Sequence, residues 1–198
     1  ESQKDYIQHE HKAMTTITFD NVTPRVFQNA GCPESDIWQS LATFERGKLY
    51  LVEAESGKGK STFCSYILGY RNDYTGKVMF DGEDIKAYST SRWTEIRQRH
   101  VSHLFQELRL FPELTADEQR IVDALKQLTG HKDMKTICSW FERLGIENKI
   151  DTKVRLMSFG QQQRVAMMRA LAQPFDVLLA DEPISHLDDR NSSIMGEI

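Results

Sequence analysis

Residues 54–61 carry the spacing of a loop that binds nucleotide phosphates, with one departure. The pattern for such a loop is G-x-x-x-x-G-K-[ST], and the sequence reads AESGKGKS. Its second half, Gly59-Lys60-Ser61, is intact, whereas Ala54 takes the place of the first glycine. Glycines let backbone N–H groups face anionic oxygens, and one lysine reaches the outer phosphates. The stretch therefore predicts a phosphate-binding loop; taken alone, a surface turn rich in glycine and lysine is the alternative.

Each position of this loop has an expected role around a triphosphate. Lys60 is expected to contact the β- and γ-phosphates, and the Ser61 hydroxyl to ligate Mg²⁺. Ala54 sits at the strand exit, where its methyl group is tolerated if φ stays negative. Lys58 adds a second positive charge, which either strengthens anion binding or points to solvent. The other predicted binding residues supply backbone N–H groups and the start of a helix: Glu55, Ser56, Gly57, Gly59 and Thr62.

A second group that could do chemistry ends an apolar run near the C-terminus. Residues 176–183 read DVLLADEP, so that two acids follow a short buried strand. A magnesium–nucleotide site needs one carboxylate near the metal and another group that orients the attacking water. Asp181 is the expected metal ligand, and Glu182 is expected to polarise the water. A strand that ends in two acids is by itself usually a solvated surface, so this interpretation depends on the loop at 54–61.

Hydrophobic periodicity predicts the elements that must position the loop. Alternation over residues 15–22 predicts an early strand, and residues 47–54 predict a short buried strand that leads into the loop. Apolar residues at helical spacing predict a helix after Ser61 that ends near Gly69. Residues 75–85 predict a strand with turns. This succession, followed by an acidic strand end, is typical of a P-loop α/β fold.

A further helix is predicted from Ser158, which is a natural N-cap. Val165, Met168 and Ala172 fall along one face of it, and the residues between 91 and 145 are also mostly helical in period. The helix is therefore expected to pack into a core through this face.

Length and composition describe an ordinary globular protein. The 198 residues, of which 39% are hydrophobic and 27% charged, suffice for one substantial α/β domain. A formal net charge of −4 argues against nonspecific nucleic-acid binding, so no nucleic-acid partner is expected. Three scattered cysteines predict reduced thiols in a cytosolic setting. Residues 1–13 are expected to be a polar leader or a tag remnant.

Residues 156–172, LMSFGQQQRVAMMRALA, resemble the signature sequence of the ATP-binding cassette (ABC) ATPases, usually L-S-G-G-Q followed by Q-x-R-V. Ser158, Gly160 and Gln161 match, and Phe159 replaces the first glycine of the pair. The resemblance implies that Ser158 and the helix N-terminus offer a hydroxyl, N–H groups and a positive dipole to a γ-phosphate. Without it, the residues predict a capped amphipathic core helix.

Other motifs of the ABC family follow in the expected order. Residues 101–115 resemble its glutamine loop, with Gln106 where the family senses Mg²⁺ and the attacking water. Residues 185–189 resemble its D-loop, with Asp188 as the acid. Residues 21–27 resemble the segment that stacks an aromatic ring on adenine, which makes Phe27 the candidate and a core position its alternative.

The resemblance implies an α/β fold: a RecA-like P-loop NTPase core with an antiparallel β subdomain and an inserted α-helical subdomain. The core and β subdomain are expected over residues 14–105, and the glutamine loop and helical subdomain over 106–160. Residues 161–198 are expected to return to the core through the acidic strand and D-loop. Ten residues follow Asp188, so the family's later strand and its switch histidine are expected to be absent from this stretch. Hydrolysis would be impaired if the molecule ended here, whereas in a truncated chain the absence says nothing about the parent protein.

The implied function is that of the ATP-binding and hydrolysing subunit of an ABC transporter, with ATP and Mg²⁺ as cofactors. Two copies, or this chain and a related cassette, would enclose two ATPs and move transmembrane permease subunits at the inner face of the cell membrane. The acidic strand and D-loop look more like the lipoprotein-release or macrolide-efflux branch than like importers. The alternative is a regulatory cassette with little or no turnover, which Ala54, Phe159 and the missing strand favour. Cassettes of chromosome maintenance or translation are disfavoured, because they need a long coiled coil or a second cassette.

Overall fold

The computed structural model of the protein describes residues 13–29, 31–104 and 133–181. Its first layer is a four-stranded antiparallel sheet in the order β2-β1-β3-β4. These strands span Thr16–Pro24 (β1), Leu41–Glu45 (β2), Tyr74–Phe80 (β3) and Glu83–Asp84 (β4). The strands predicted over 15–22 and 75–85 are confirmed, the second as a hairpin whose short return strand is β4.

An irregularity in β1 keeps its inward face directed at the core. The register between β1 and β3 shifts between Asp20 and Thr23, where Asn21 has a left-handed backbone with φ +49. One extra residue reverses the side of the sheet on which the following side chains lie. Because the shift falls here, Ile17 before it and Val22 after it are both buried.

Gly76 in β3 faces this irregularity and leaves no room for a side chain. Its φ is +78, and a Cβ would lie 2.3 Å from the carbonyl oxygen of Asn21. We expect Gly76→Ala to lower the free energy of unfolding by roughly 3 kcal/mol, from backbone strain and the clash with main chain. Gly82→Ala is the matched control, because Gly82 has φ +84 and open space around its Cβ position. Urea unfolding measures both variants, and equal losses would contradict a clash at Gly76.

The second sheet is parallel and contains two strands, Val101–Leu104 (β5) and Val177–Ala180 (β6). The helices span Arg25–Gln28 (α1), Lys60–Ile67 (α2), Thr90–Arg99 (α3), Met134–Arg143 (α4) and Phe159–Ala172 (α5). Single 3₁₀ turns occupy Ile85–Ala87, Glu147–Lys149 and Val154–Leu156. Parallel neighbours require a long crossover connection, and α4 and α5 belong to the one between β5 and β6.

Buried side chains form two clusters. One lies between the antiparallel sheet and helices α2 and α3, and the other packs α4 against α5. Strand β5 contributes to both, because Val101 belongs to the first cluster and Leu104 to the second. The predicted inner face of α5 is confirmed, since Val165, Met168 and Ala172 are fully buried.

The apolar run at residues 47–54 is not the buried strand that the sequence predicts. Residues 48–55 have no regular secondary structure, and Leu49 is 100% exposed. A strand is stable only where a neighbour satisfies its backbone groups. A cavity of about 1060 Å³ is lined both by this run and by β6, so the two do not pair. The prediction is wrong because apolar character does not by itself provide a hydrogen-bonding neighbour.

Candidate phosphate-binding site

The predicted loop leads directly into the N-terminus of helix α2. Gly59 is the N-cap of α2 with φ +99, and Gly57 has φ +78. Within residues 31–104 and the other described ranges, no protein group accepts a hydrogen bond from the N–H of Ser56, Gly57 or Gly59. The first N–H groups of a helix also lack partners inside the helix. An anion at this point could therefore receive several backbone hydrogen bonds together with the positive end of the helix dipole.

Lys60 folds back over the loop that precedes it. Its Nζ donates a hydrogen bond to the carbonyl oxygen of Ala54. Ala54 is not among the residues of positive φ, which meets the condition under which its methyl group is tolerated. Ser61 follows with an exposed side chain, and Lys58 is also exposed. The ammonium of Lys60 thus lies over the loop, bound to the carbonyl oxygen of Ala54. An oxygen of an anionic ligand could accept the same hydrogen bond in place of this carbonyl.

A cavity of about 630 Å³ opens beside the loop, within the range of small-ligand sites. Lys58, Gly59 and Lys60 line one part of it, and residues 33–38 line another. Sequence reasoning did not predict that residues 33–38 approach the loop. A local sequence pattern does not indicate contacts with a segment some twenty residues later.

Phe27, the predicted adenine-stacking residue, occupies the alternative position that the sequence left open. It is 9% exposed and belongs to the core around the antiparallel sheet. The short helix α1 turns its ring toward Trp38, with ring centroids 6.4 Å apart, and toward the Cβ position of Gly59 at 3.3 Å. Phe27 does not line the cavity of 630 Å³. This packing places Phe27 beneath the loop, and its stacking on adenine stays a prediction.

Asp181 lies immediately after β6, one residue past Ala180. With Lys60 and Cys64 it lines the larger cavity of about 1060 Å³. Burial raises the pKa of the Cys64 thiol to about 11, and the negative charge of Asp181 adds to the shift. The Asp181 carboxylate therefore lies near helix α2, whose first turn carries Ser61. Hydroxyl and carboxylate oxygens are the kind of ligand that Mg²⁺ takes, and a metal-binding role for Ser61 and Asp181 stays a prediction.

The signature residues begin helix α5 with a capping box. Ser158 Oγ accepts a hydrogen bond from the N–H of Gln161 at 3.4 Å, and Gln161 Oε1 accepts from the N–H of Ser158 at 2.9 Å. The predicted N-cap is therefore confirmed. Phe159 is 55% exposed, and a Cβ at Gly160 would meet open space. This helix start is accessible to another molecule, as its predicted action on a facing copy requires.

Three predicted site residues lie outside the described residues: Gln106, Glu182 and Asp188. The D-loop and the continuation of the glutamine loop lie there too. Their roles stay predictions, as do the roles assigned to the loop residues and the division into subdomains.

A buried charged cluster at the start of β6 was missed by sequence reasoning. The Asp176 carboxylate accepts hydrogen bonds from the N–H of Met14 at 2.8 Å and pairs with His100 Nδ1 at 2.6 Å. Arg46 Nε lies 3.3 Å from its other oxygen. The side chains of His100 and Asp176 are only 4% and 5% exposed. Through Asp176, the cluster joins the residue after α3, the residue after β2 and Met14 before β1 to the start of β6. Asp181 lies at the other end of that strand.

No helix in the described part of the chain is both long and apolar enough to cross a bilayer.

The fold and the loop together define a P-loop α/β protein. The sequence profile of a family described as ABC transporter matches residues 39–185. The chain therefore belongs to the ABC transporter family, and the resemblance seen in the signature sequence is confirmed.

Two relatives and one solved structure illustrate this membership. The lipoprotein-releasing system ATP-binding protein LolD 1 of Chlorobium chlorochromatii is 34% identical over 155 residues, which cover 76% of this chain and 62% of that protein. The phosphonates import ATP-binding protein PhnC of Frankia casuarinae is 32% identical over 195 residues, covering 93% and 75%. A bacterial Atm1-family ABC exporter with ATP bound superimposes with a TM-score of 0.73 over 93% of this chain and 32% of that one. At 20% identity this structure supports the fold alone.

The chain spans less than two thirds of the LolD relative's length. Relatives named for lipoprotein release and for phosphonate import have similar identities. The predicted likeness to the lipoprotein-release branch is therefore confirmed, but the phosphonate-import relative resembles the chain about equally.

Proposed function

We propose that the protein is the ATP-binding and ATP-hydrolysing subunit of a transporter. It would act as a nucleotide-bridged dimer, of two copies or of this chain with a related cassette, coupled to transmembrane permease subunits at the cytoplasmic face of the membrane. The observation that carries the proposal is the loop at 54–61, where Lys60 folds over the start of α2 and the described residues offer no acceptor to the N–H groups of Ser56, Gly57 and Gly59. Membership in the ABC transporter family supports the same assignment.

The residues of one copy fit the magnesium complex of ATP. The N–H groups of residues 54–62 and the Lys60 ammonium would bind the phosphates. The oxygens of Ser61 and Asp181, together with Gln106, would hold Mg²⁺. Bound Mg²⁺ would offset the charge that develops on the transferring phosphoryl group. Glu182 would accept a hydrogen bond from the attacking water and orient it.

The facing copy would complete each site. Its Ser158 hydroxyl, the N–H of Gly160 and Asp188 would approach the γ-phosphate from the opposite side, while Gln161 caps the start of the helix that carries them. The start of α5 supports this arrangement, because Ser158 and Phe159 are exposed there.

Phosphate release in Mg-ATP tests the proposal in the full-length protein. We expect Glu182→Gln to reduce turnover by about 10²- to 10⁴-fold, the usual contribution of a positioned acid or base, while ATP binding persists. Glu142→Gln is the matched control, because Glu142 is an exposed acid on helix α4. Its turnover should equal that of the parent protein.

A regulatory cassette that binds ATP with little turnover is the second candidate. Ala54 in the loop and the half-exposed Phe159 at the start of α5 favour it, because both are bulkier than the glycines the family usually has there. Tight ATP binding without release that depends on Glu182 would replace the hydrolysing subunit with this candidate. Absence of Mg-ATP binding would exclude both.

A further inference from the structure

The indole ring of Trp38 lies directly beneath the phosphate-binding loop. Its Nε1–H donates a hydrogen bond to the carbonyl oxygen of Lys58 at 3.4 Å. A Cβ at Gly59 would lie 3.1 to 3.2 Å from the same ring. Trp38 therefore contacts the carbonyl of the peptide that joins Lys58 to Gly59 and lies against Gly59, the N-cap of helix α2.

The indole ring of Trp38 is held in place by packing on several sides, so it can fix the position of the peptide that it contacts. Trp38 is 5% exposed, and its ring packs edge-on against Phe19 of β1 and Tyr66 of α2 at centroid distances of 6.0 and 6.2 Å. Its backbone N–H donates to Ser35 Oγ at 3.1 Å. The indole is thus anchored by a strand, a helix and a local turn, and the loop rests on it.

Anchoring the carbonyl of Lys58 sets the direction of the next N–H. In a trans peptide, the C=O and the N–H point to opposite sides. Because the Lys58 carbonyl points toward Trp38, the N–H of Gly59 points away from it, to a side where none of the described residues accepts a hydrogen bond from it. If this peptide rotated, the loop would present a carbonyl oxygen to an anion in place of a donor.

We propose that Trp38 is a positioning residue of the nucleotide site, which holds the Lys58–Gly59 peptide with its N–H directed at the phosphates. The inference rests on the proposed nucleotide binding and adds to it a residue outside the loop motif. Trp38 acts through the peptide, so it contributes to binding in the ground state and the transition state alike. Its loss should raise KM and leave kcat close to the parent value.

Trp38→Phe in the full-length protein separates the hydrogen bond from the packing, because phenylalanine keeps a ring beneath Gly59 and has no N–H. We expect the KM for Mg-ATP and its Kd to rise roughly 2- to 5-fold, which is the range for one long neutral hydrogen bond. Trp38→Leu also removes the flat surface under Gly59 and should have a larger effect. Trp93→Phe is the control, since Trp93 packs against Gly69 at the other end of α2. It should change KM and Kd less than 2-fold.

A spectroscopic measurement on the unaltered sequence keeps the inference testable if Trp38→Leu fails to fold. The indole N–H resonance of Trp38, assigned through Trp38→Phe, should shift when the non-hydrolysable analogue AMP-PNP with Mg²⁺ is added, and that of Trp93 should not. Equal KM and Kd in Trp38→Phe and the parent, or an unmoved Trp38 resonance, would overturn the role of Trp38 alone. A parent protein that binds no Mg-ATP would instead overturn the proposed function.

Discussion

Lys60→Ala is expected to weaken Mg-ATP binding by about 10- to 100-fold, the worth of one hydrogen bond between charged groups. The lysine is already folded over the loop, where its Nζ binds the carbonyl oxygen of Ala54. A phosphate oxygen would take the place of this neutral acceptor and form a stronger, charge-assisted bond. Equilibrium binding of ATP with Mg²⁺ measures the loss, and phosphate release should fall with it.

Lys58→Ala is the matched control for charge near the loop. Lys58 lies two residues away with an exposed side chain, and solvent screens exposed charges strongly. We expect its removal to weaken ATP binding less than about 5-fold, as for a screened surface interaction. Equal losses in the two variants would mean that general positive charge, rather than the position of Lys60, attracts the nucleotide. Unchanged binding in Lys60→Ala would contradict the assigned role of the loop.

Asp176→Ala should have the largest effect on stability among the ionic residues described. Removing a buried acceptor costs about 1 to 3 kcal/mol for each buried group that it contacted, and this carboxylate contacts two, so the loss should be about 3 to 5 kcal/mol. Here the N–H of Met14 and the buried His100 ring both lose the carboxylate that they contact. Urea unfolding measures the free energy, and for a chain of this size the melting temperature should fall by about 10 °C.

Two further variants distinguish the buried cluster from an ordinary ion pair. Asp176→Asn keeps an acceptor for the N–H of Met14 and should lose less stability than Asp176→Ala. Glu95→Ala is the control, because the side chains of Arg92 and Glu95 are 41% and 43% exposed although they lie 2.7 Å apart. Exposed pairs contribute about 0 to 1 kcal/mol. If Glu95→Ala and Asp176→Ala lose equal stability, burial is not what makes the Asp176 cluster important.

The local geometry of the loop and of the two helix starts could be predicted from the sequence. The glycines of the loop, the start of α2 at Lys60 and the N-cap Ser158 with its partner Gln161 all lie within a few residues of the groups they organise. Such contacts depend on short-range geometry, which the order of residue types already encodes. The signature sequence likewise identified the family that the sequence profile confirms.

Residues 47–54 show a case in which the local pattern was not sufficient for prediction. Their apolar pattern predicts a buried strand, yet Leu49 is fully exposed and no strand of the described residues pairs with this run. Whether an apolar run becomes a strand depends on a neighbour that offers hydrogen bonds. That neighbour is distant in the sequence, so periodicity could not decide the outcome.

The sequence by itself determined the loop, its helix, the capped signature helix and the family. Only the tertiary structure decided that Phe27 packs in the core, that Trp38 supports the loop and that Asp176 joins His100, Arg46 and Met14. These three results depend on contacts between segments far apart in the chain: Trp38 reaches residue 58, and Asp176 reaches residue 14. A sequence pattern reports periodicity along one segment, whereas burial and buried ion pairs arise only when segments meet.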